Sequence, residues 1–464
     1  MLAIAASASA APFVGQAKTH EEWGTYLRPF SPQSPWNARP VRPVFDDFEI
    51  PRSSYFPALV EGGYSTGVFL TSESDSAMQV RPVPGTRGLW DADAEVHREG
   101  IIIPRWPADT LPATGSDGHA DIVDVQSGIV HSFYKLKNLD GQWCARQYAW
   151  TRLDGRGWGD PAHYYQGARA AAVPSMGGIM RKHEVNDGDS VYRHALALSL
   201  TNNGLSANPT YIFPATSADS NAARANKGGI PEGALLMLPP EYDTSTIRNP
   251  KLRKVADTLK LYGGYVVDRN VGTPFAAYVE YGSNMKLHAG GWDNEVARQL
   301  DRIRSGLRWV TNAEGWLDAF GRPMEMDRRL NLLSMRGPWR LEGSVGTLGS
   351  FETWRQAVVF APESEAVTQV NSSGRSLQPV AWARPLAGEK YRLTAQTTGA
   401  GRLRLQLFNQ GRDEIFDSGE LDDQRSLTFK WPADQMHVSL TARAGKSPQG
   451  SSVSGTLIAV QQRL

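Results

Sequence analysis

SDGHADIVDVQSGIVHSFYKLK, residues 116–137, reads as a β-hairpin: the alternating runs ADIVDV and GIVHSFYKL flank a DVQSG turn signal. Strand alternation puts His119, Asp121, Val123 and Val125 on one face and Ala120, Ile122 and Asp124 on the other. Asp124 opens the turn, so its carboxylate is expected to cap backbone amides. His119 and Asp121 share a face, which suits either a reactive pair or the polar rim of an ordinary strand.

The same texture extends outward from the hairpin. GVFLTS, HALALSL and GYVVDRN are further short strands, and 45 Gly and 29 Pro break the chain between such runs. Helical periodicity is confined to two clear stretches. In NPKLRKVADTLKLYGG, Leu252, Val255, Ala256, Leu259 and Tyr262 recur at helical spacing between Pro250 and Gly263-Gly264. In WDNEVARQLDRIRSGLRWV, Val296, Leu300 and Ile303 share a face and Asp293 is placed to cap the start. Beyond about residue 335, KYRLTAQTT, GRLRLQLFNQ, SLTFKW and MHVSLTARA alternate without any helical segment, as a separate β-sandwich would. The expected fold class is therefore mostly β, with a few helices packed against the first domain.

A length of 464 residues suits two or three domains. Lys plus Arg number 49 against 48 Asp plus Glu, so no global field draws the chain to nucleic acid or to an anionic membrane. The single cysteine, Cys144, excludes an intramolecular disulfide framework and is expected to act as a small buried apolar residue. MLAIAASASAAPF resembles the end of a secretory signal, with Ala8-Ser9-Ala10 as its cleavage pattern but no basic segment before it. Residues 1–12 are accordingly read as a signal-peptide remnant and the protein as secreted or periplasmic. After that stretch no run approaches the ~18 apolar residues of a membrane span, so membrane insertion is not expected.

Motifs for familiar chemistries are weak. Gly63-Tyr64-Ser65-Thr66-Gly67 matches the nucleophile elbow of serine hydrolases, but VFLTSES after it favours a strand where the elbow needs a helix. His183-Glu184 lacks the second histidine of a zinc helix, and NDGDS lacks a calcium ladder, so Asp187 and Asp189 read as turn residues and no metal is expected. No phosphate or dinucleotide loop appears, so no cofactor is expected. Acid–base candidates remain in His119, in the cluster of Arg181, Glu184 and His194, and in Asp268 at the end of an apolar strand. The chain has 14 Trp, and WCARQYAWTRLDGRGW gathers Trp143, Tyr148, Trp150 and Trp158, rings of the kind that stack on sugars.

SPWNARP, PATGSDGHADIVDVQSG, GGIMRKHEVNDGDSVYRHAL, IPEGALLMLPPEYD and LKLYGGYVVDRN follow one another in an order that resembles a group of secreted bacterial proteins of unassigned function. The resemblance covers roughly residues 34–310 and implies a jelly-roll or concanavalin-like β-sandwich. Its pattern matches Asp117, Gly118, His119, Asp124, Arg181, Glu184, His194 and Asp268, whereas Asp121 stands where the pattern has an apolar residue. Taken together, the expectation is a catalytic β-sandwich over 13–335 and a carbohydrate-binding-like β-sandwich over 336–464. The expected function is an exported polysaccharide-degrading enzyme. A glycoside hydrolase would use Glu184 and Asp268; a lyase would use His119 or His194, with Arg181 neutralising a uronate. Trp143, Tyr148, Trp150 and Trp158 would bind substrate in either case. The alternatives are a non-catalytic glycan-binding or cell-surface protein, with the same aromatic surface and no turnover, and a serine esterase using Ser65.

Overall fold

A computed structural model describes residues 22–60, 62–288, 290–341, 349–362, 368–372 and 376–461. The signal reading at 1–12 lies outside the described residues. The hairpin forms as read: His119–Asp124 pairs antiparallel with Ile129–Tyr134, Ala120 facing Phe133 and Asp124 facing Ile129. Asp124 closes the turn, its Oδ1 accepting the amides of Gln126 and Ser127 at 3.2 and 3.3 Å. Thr66–Leu70 joins in parallel on one side and Gln147–Arg152 antiparallel on the other, within a six-stranded sheet.

Both faces of this sheet are covered. Ala120, Ile122, Phe133, Tyr148 and Trp150 pack against Val80, Ile101, Ile103 and Trp143 of a four-stranded sheet. On the other face Val68, Val123 and Val130 meet Ala197, Leu235, Tyr265, Val267 and Tyr278 of an eight-stranded mixed sheet. That mixed sheet turns its far face to two helices. Leu196, Leu198, Leu200 and Val266 pack against Leu252, Val255 and Leu259 of Pro250–Leu261 and Val296, Leu300 and Ile303 of Asn294–Gly306. Both helices start as the sequence indicates, on Asn249 with Pro250 in the first turn and on Asp293, whose side chains accept the first free amides. The order is thus sheet, sheet, mixed sheet, helices.

Residues 339–459 add two five-stranded antiparallel sheets around Trp339, Tyr391, Leu393, Leu405 and Leu457. The chain is mostly β, and its β-sandwich character holds at both ends.

The stacking of these sheets corrects the aromatic reading. Trp143, Tyr148, Trp150 and Trp158 are 8%, 0%, 6% and 1% exposed, so none offers a ring face to a sugar. Trp158 stacks on Trp36 and donates to Ala171 O at 3.0 Å. Trp150 donates to Thr353 Oγ1 at 2.9 Å, and Tyr148 Oη receives Trp354 Nε1 at 3.0 Å, which makes both part of the seam with the C-terminal sandwich. Cys144 is buried, as expected. Ser65 is buried, hydrogen-bonded to Val279 O, and followed by the Thr66–Leu70 strand, so the elbow has no helix and the esterase reading falls.

The seam is knotted by Asp93, which is fully buried, lies 3.3 Å from His163 Nε2 and accepts Thr353 Oγ1 at 3.2 Å and the Gln356 amide. Burial opposes its charge, but these partners hold its carboxyl below the ordinary carboxylate value. Its stabilisation is therefore present above the unfolded-state pKa and lost as pH falls through the depressed one. Asp93→Ala leaves buried donors unanswered and is expected to cost about 3 kcal/mol by denaturant unfolding. An unchanged midpoint would remove Asp93 from the seam.

Candidate functional site

The mixed sheet owes its geometry to one parallel pair, Leu196–Thr201 beside Gly264–Asn270. Leu198 faces Val266 and Ser199 faces Asp268, so Val267 is an extra residue and the strand bulges there, before running on to Asn270. Such a bulge re-aims the side chain that follows it. Asp268 follows the bulge, toward the carboxyl edge of the parallel pair, where open mixed sheets place their ligands.

Beneath Asp268 lies Arg169, 1% exposed, from the otherwise apolar stretch ARAAAV. Its Nη1 is 3.3 Å from Asp268 Oδ2 and its guanidinium carbon sits 3.9 Å over the Tyr278 ring. Nε and Nη2 of Arg169 are buried with no hydrogen-bond partner. Asp268 Oδ1 accepts its neighbour's amide, Arg269 N, at 2.9 Å. Burial raises the Asp268 carboxyl to about 7, the pull of Arg169 notwithstanding, and the charges of Asp219 and Asp117 push it the same way. Asp219 lies 3.6 Å from Arg269 Nη2. Behind it the fully buried Glu232 is pushed well above the carboxylate range, first by burial and then by Asp219 and Asp268.

The hairpin supplies the other wall. His119 is 2% exposed; its Nδ1 is 3.2 Å from Phe133 O and 3.1 Å from Ser175 Oγ. A carbonyl only accepts, so Nδ1 carries the ring proton and Nε2 is left with a free lone pair. Burial, helped by the charge of Arg169, lowers the His119 pKa to about 3, so the ring is neutral across the working range. Tyr134, at the end of the partner strand, sits with its ring 5.6 Å from that of His119, and its hydroxyl makes no hydrogen bond among the described residues.

Asp121 has a different fate. It shares the face of His119, but it is fully buried and accepts Met176 N, and burial raises it to about 7. It is neither rim nor reactive partner: the turn after Ser175 seals it from the cleft.

Glu184, His194 and Arg181 do not join this cleft. Leu196, the first residue of its strand, precedes Ser199, the residue facing Asp268, by three positions, or about 10 Å along the strand, and His194 lies two residues before that start. Glu184 and His194 therefore stand at the opposite, amino edge of the parallel pair, in a cavity of about 180 Å³ shared with Trp23 and Trp36. That separation exceeds what paired carboxylates of a glycosidase use, about 5–9.5 Å, and corrects the Glu184–Asp268 pairing. Glu184 Oε2 instead accepts His194 Nε2 at 3.2 Å and Arg181 N at 2.9 Å. Arg181 is largely committed, with Nε 2.9 Å from buried Glu280 and Nη1 3.0 Å from Tyr26 O, while Nη2 is buried without a partner among the described residues.

Asp268 and His119 are thus the two expected residues that the fold brings to Arg169, the first as an ion pair and the second within reach of its charge. Arg169, Tyr134 and Asp219 join them unforeseen, and Asp117 comes from the DGH block. A lone arginine in ARAAAV was the readable signal for Arg169, since an apolar run tolerates a guanidinium only where an anion answers it. Among the described residues no group of three or more His, Cys, Asp or Glu is arranged to hold a metal ion. No helix of the described residues is long and apolar enough to cross a membrane.

No family model and no curated protein matches the chain. Solved structures match part of it. A glycosylation-associated protein complex from Streptococcus agalactiae is 12% identical over 29% of this chain, at a TM-score of 0.22; the match spans 46% of that chain. The BiXyn10A CBM1 module is 13% identical over 29% of this chain and 96% of its own, at 0.20. The Clostridium thermocellum endo-1,4-beta-D-xylanase 10B CBM22-1-GH10 modules are 14% identical over 30% of this chain and 29% of theirs, at 0.17.

The amino-edge pair makes a direct test. Burial raises Glu184, but His194 and the Arg181 amide outweigh it and bring the carboxyl down to about 2. Burial lowers His194, but Glu184 outweighs it and leaves the imidazole raised. Their mutual stabilisation is present between the two unfolded-state values. It is lost as pH falls toward about 2 through the Glu184 carboxyl, or rises through the elevated pKa of His194. Glu184→Gln is expected to cost about 2 kcal/mol at pH 6 and to flatten the alkaline fall in melting temperature. Any turnover per folded molecule should survive; its loss would return Glu184 to the chemistry.

Proposed function

We propose that this protein is an exported carbohydrate-active enzyme that hydrolyses glycosidic bonds in the cleft over Asp268. The resemblance to secreted bacterial proteins supports the placement outside the cytoplasm. The observation that carries the reading is the state of Asp268, a cleft carboxyl on a buried arginine, raised to about 7 beside two further carboxylates. A carboxylic acid that keeps its proton near neutrality is what departure of a glycosidic oxygen requires. Asp268 is assigned as the proton donor. Asp117, which has no ion pair among the described residues, is assigned as the second carboxylate, acting as base or nucleophile; Asp219 is held by Arg269.

A second reading rests on the Tyr134 hydroxyl beside the neutral His119 ring. Such a pair can remove and return protons in β-elimination from a uronate.

Incubation with neutral and uronic polysaccharides separates the two. Hydrolysis releases reducing ends without the ultraviolet absorbance of unsaturated products, and Asp268→Asn lowers it roughly 10²- to 10⁴-fold. Activity should decline as pH rises through about 7, where Asp268 loses its proton. Because the folded pKa is raised, this carboxyl destabilises the fold as pH climbs from the ordinary carboxylate value toward about 7. Asp268→Asn should therefore raise the melting temperature at pH 7 while removing activity. Full activity in Asp268→Asn contradicts the assignment. Unsaturated products, lost in Tyr134→Phe, transfer it to the lyase. Retained binding to one glycan without turnover of any leaves a binding protein.

A further inference from the structure

Between the mixed sheet and the C-terminal sandwich lies a cavity of about 400 Å³, the size of a small-ligand site, away from the Asp268 cleft. Its walls are aromatic: Phe213 and Trp382 meet edge to face at 5.3 Å, with Trp316 and Tyr265 also lining it. Trp382 is fixed by its Nε1 donating to Ala215 O at 2.9 Å. Two polar groups line it without a partner among the described residues, buried Tyr265 and Arg328 at the solvent-exposed rim. Tyr265 is 4% exposed, yet its hydroxyl makes no hydrogen bond among the described residues, an uncommon state for a buried tyrosine. Arg328 has no ion pair or hydrogen bond among the described residues; its guanidinium carbon lies 5.9 Å over Phe213. The neighbouring Arg329 differs, being held by Asp327 at 2.9 Å.

We propose that this interdomain cavity is a second saccharide site, for a sugar unit that carries a carboxylate. The pyranose would lie on the rings of Trp316 and Phe213, a sugar hydroxyl would satisfy Tyr265, and the planar fork of Arg328 would hold the carboxylate. Aromatic walls alone would suit any sugar; the uncommitted cation selects the anionic class. The inference rests on the reading of this protein as one that acts on glycans, and it assigns the part of the chain by a second, non-reacting unit would be held.

The test is titration calorimetry on the full chain carrying Asp268→Asn, so that binding is read without turnover. Oligogalacturonate is expected to bind, more weakly as salt rises, and Arg328→Ala to weaken it about tenfold, the value of one charge-assisted contact. Tyr265→Phe, which removes only the oxygen, is expected to weaken it several-fold without lowering the melting temperature. Cellohexaose should bind at least tenfold less tightly. Oligogalacturonate binding that ignores Arg328→Ala and Tyr265→Phe overturns the site. So does equal affinity for cellohexaose, or tighter binding of a sulfated oligosaccharide. Wild-type turnover of a polysaccharide with no Arg328-dependent binding defeats this site and leaves the Asp268 assignment standing. Arg328-dependent binding without turnover supports this site and defeats only the hydrolase.

Discussion

The parallel pairing of Leu196–Thr201 with Gly264–Asn270 is the constraint from which the rest follows. Parallel neighbours cannot be joined by a tight turn, so the chain must cross over between them, and it does so through the Pro250–Leu261 helix. That crossover buries one face of the mixed sheet under helices and leaves the other to the hairpin sheet. The same pairing gives the sheet two chemically distinct edges. At the amino edge Glu184, His194 and Arg181 satisfy one another or Glu280; at the carboxyl edge Asp268 emerges from a bulge above Arg169.

The two edges differ in how their charges are answered. Arg181 and Glu280, 3% and 1% exposed, form an ion pair at 2.9 Å that leaves Arg181 Nη2 without a partner among the described residues, and Glu184 is pulled well down by His194. At the other edge a single buried guanidinium faces Asp268, with Asp219, Glu232 and Asp117 around it, and two of its nitrogens remain unanswered. Burial then outweighs attraction, and Asp268 retains its proton where ordinary carboxyls have lost theirs. A closed ion pair supports structure; an open, proton-holding carboxyl beside a neutral histidine supports chemistry.

Much of this was legible in the sequence and some was not, for definite reasons. The hairpin, both helices, the Asp293 cap and the buried Cys144 follow from periodicity and turn chemistry, which are local; Asp268, read as a strand end, lies within a strand that runs on to Asn270. Alternation also placed His119 and Asp121 on one face, but it cannot tell how deep a strand end lies, so the loss of Asp121 to the core was invisible. Trp143, Tyr148 and Trp150 were misread because a face with polar neighbours looked open; a separate four-stranded sheet and the C-terminal sandwich cover it. The pairing of Glu184 with Asp268 failed because parallel register is a long-range property that no short motif encodes.

The central claim, that Asp268 holds its proton near neutrality, can be measured without knowing any substrate. Carboxyl-carbon NMR across pH 3 to 9, with Asp268→Asn to identify the signal, would follow this one group. The account predicts a midpoint near about 7 for the Asp268 resonance. A midpoint at the ordinary aspartate value of roughly 4 would contradict it, and with it the role of Asp268 as the proton donor.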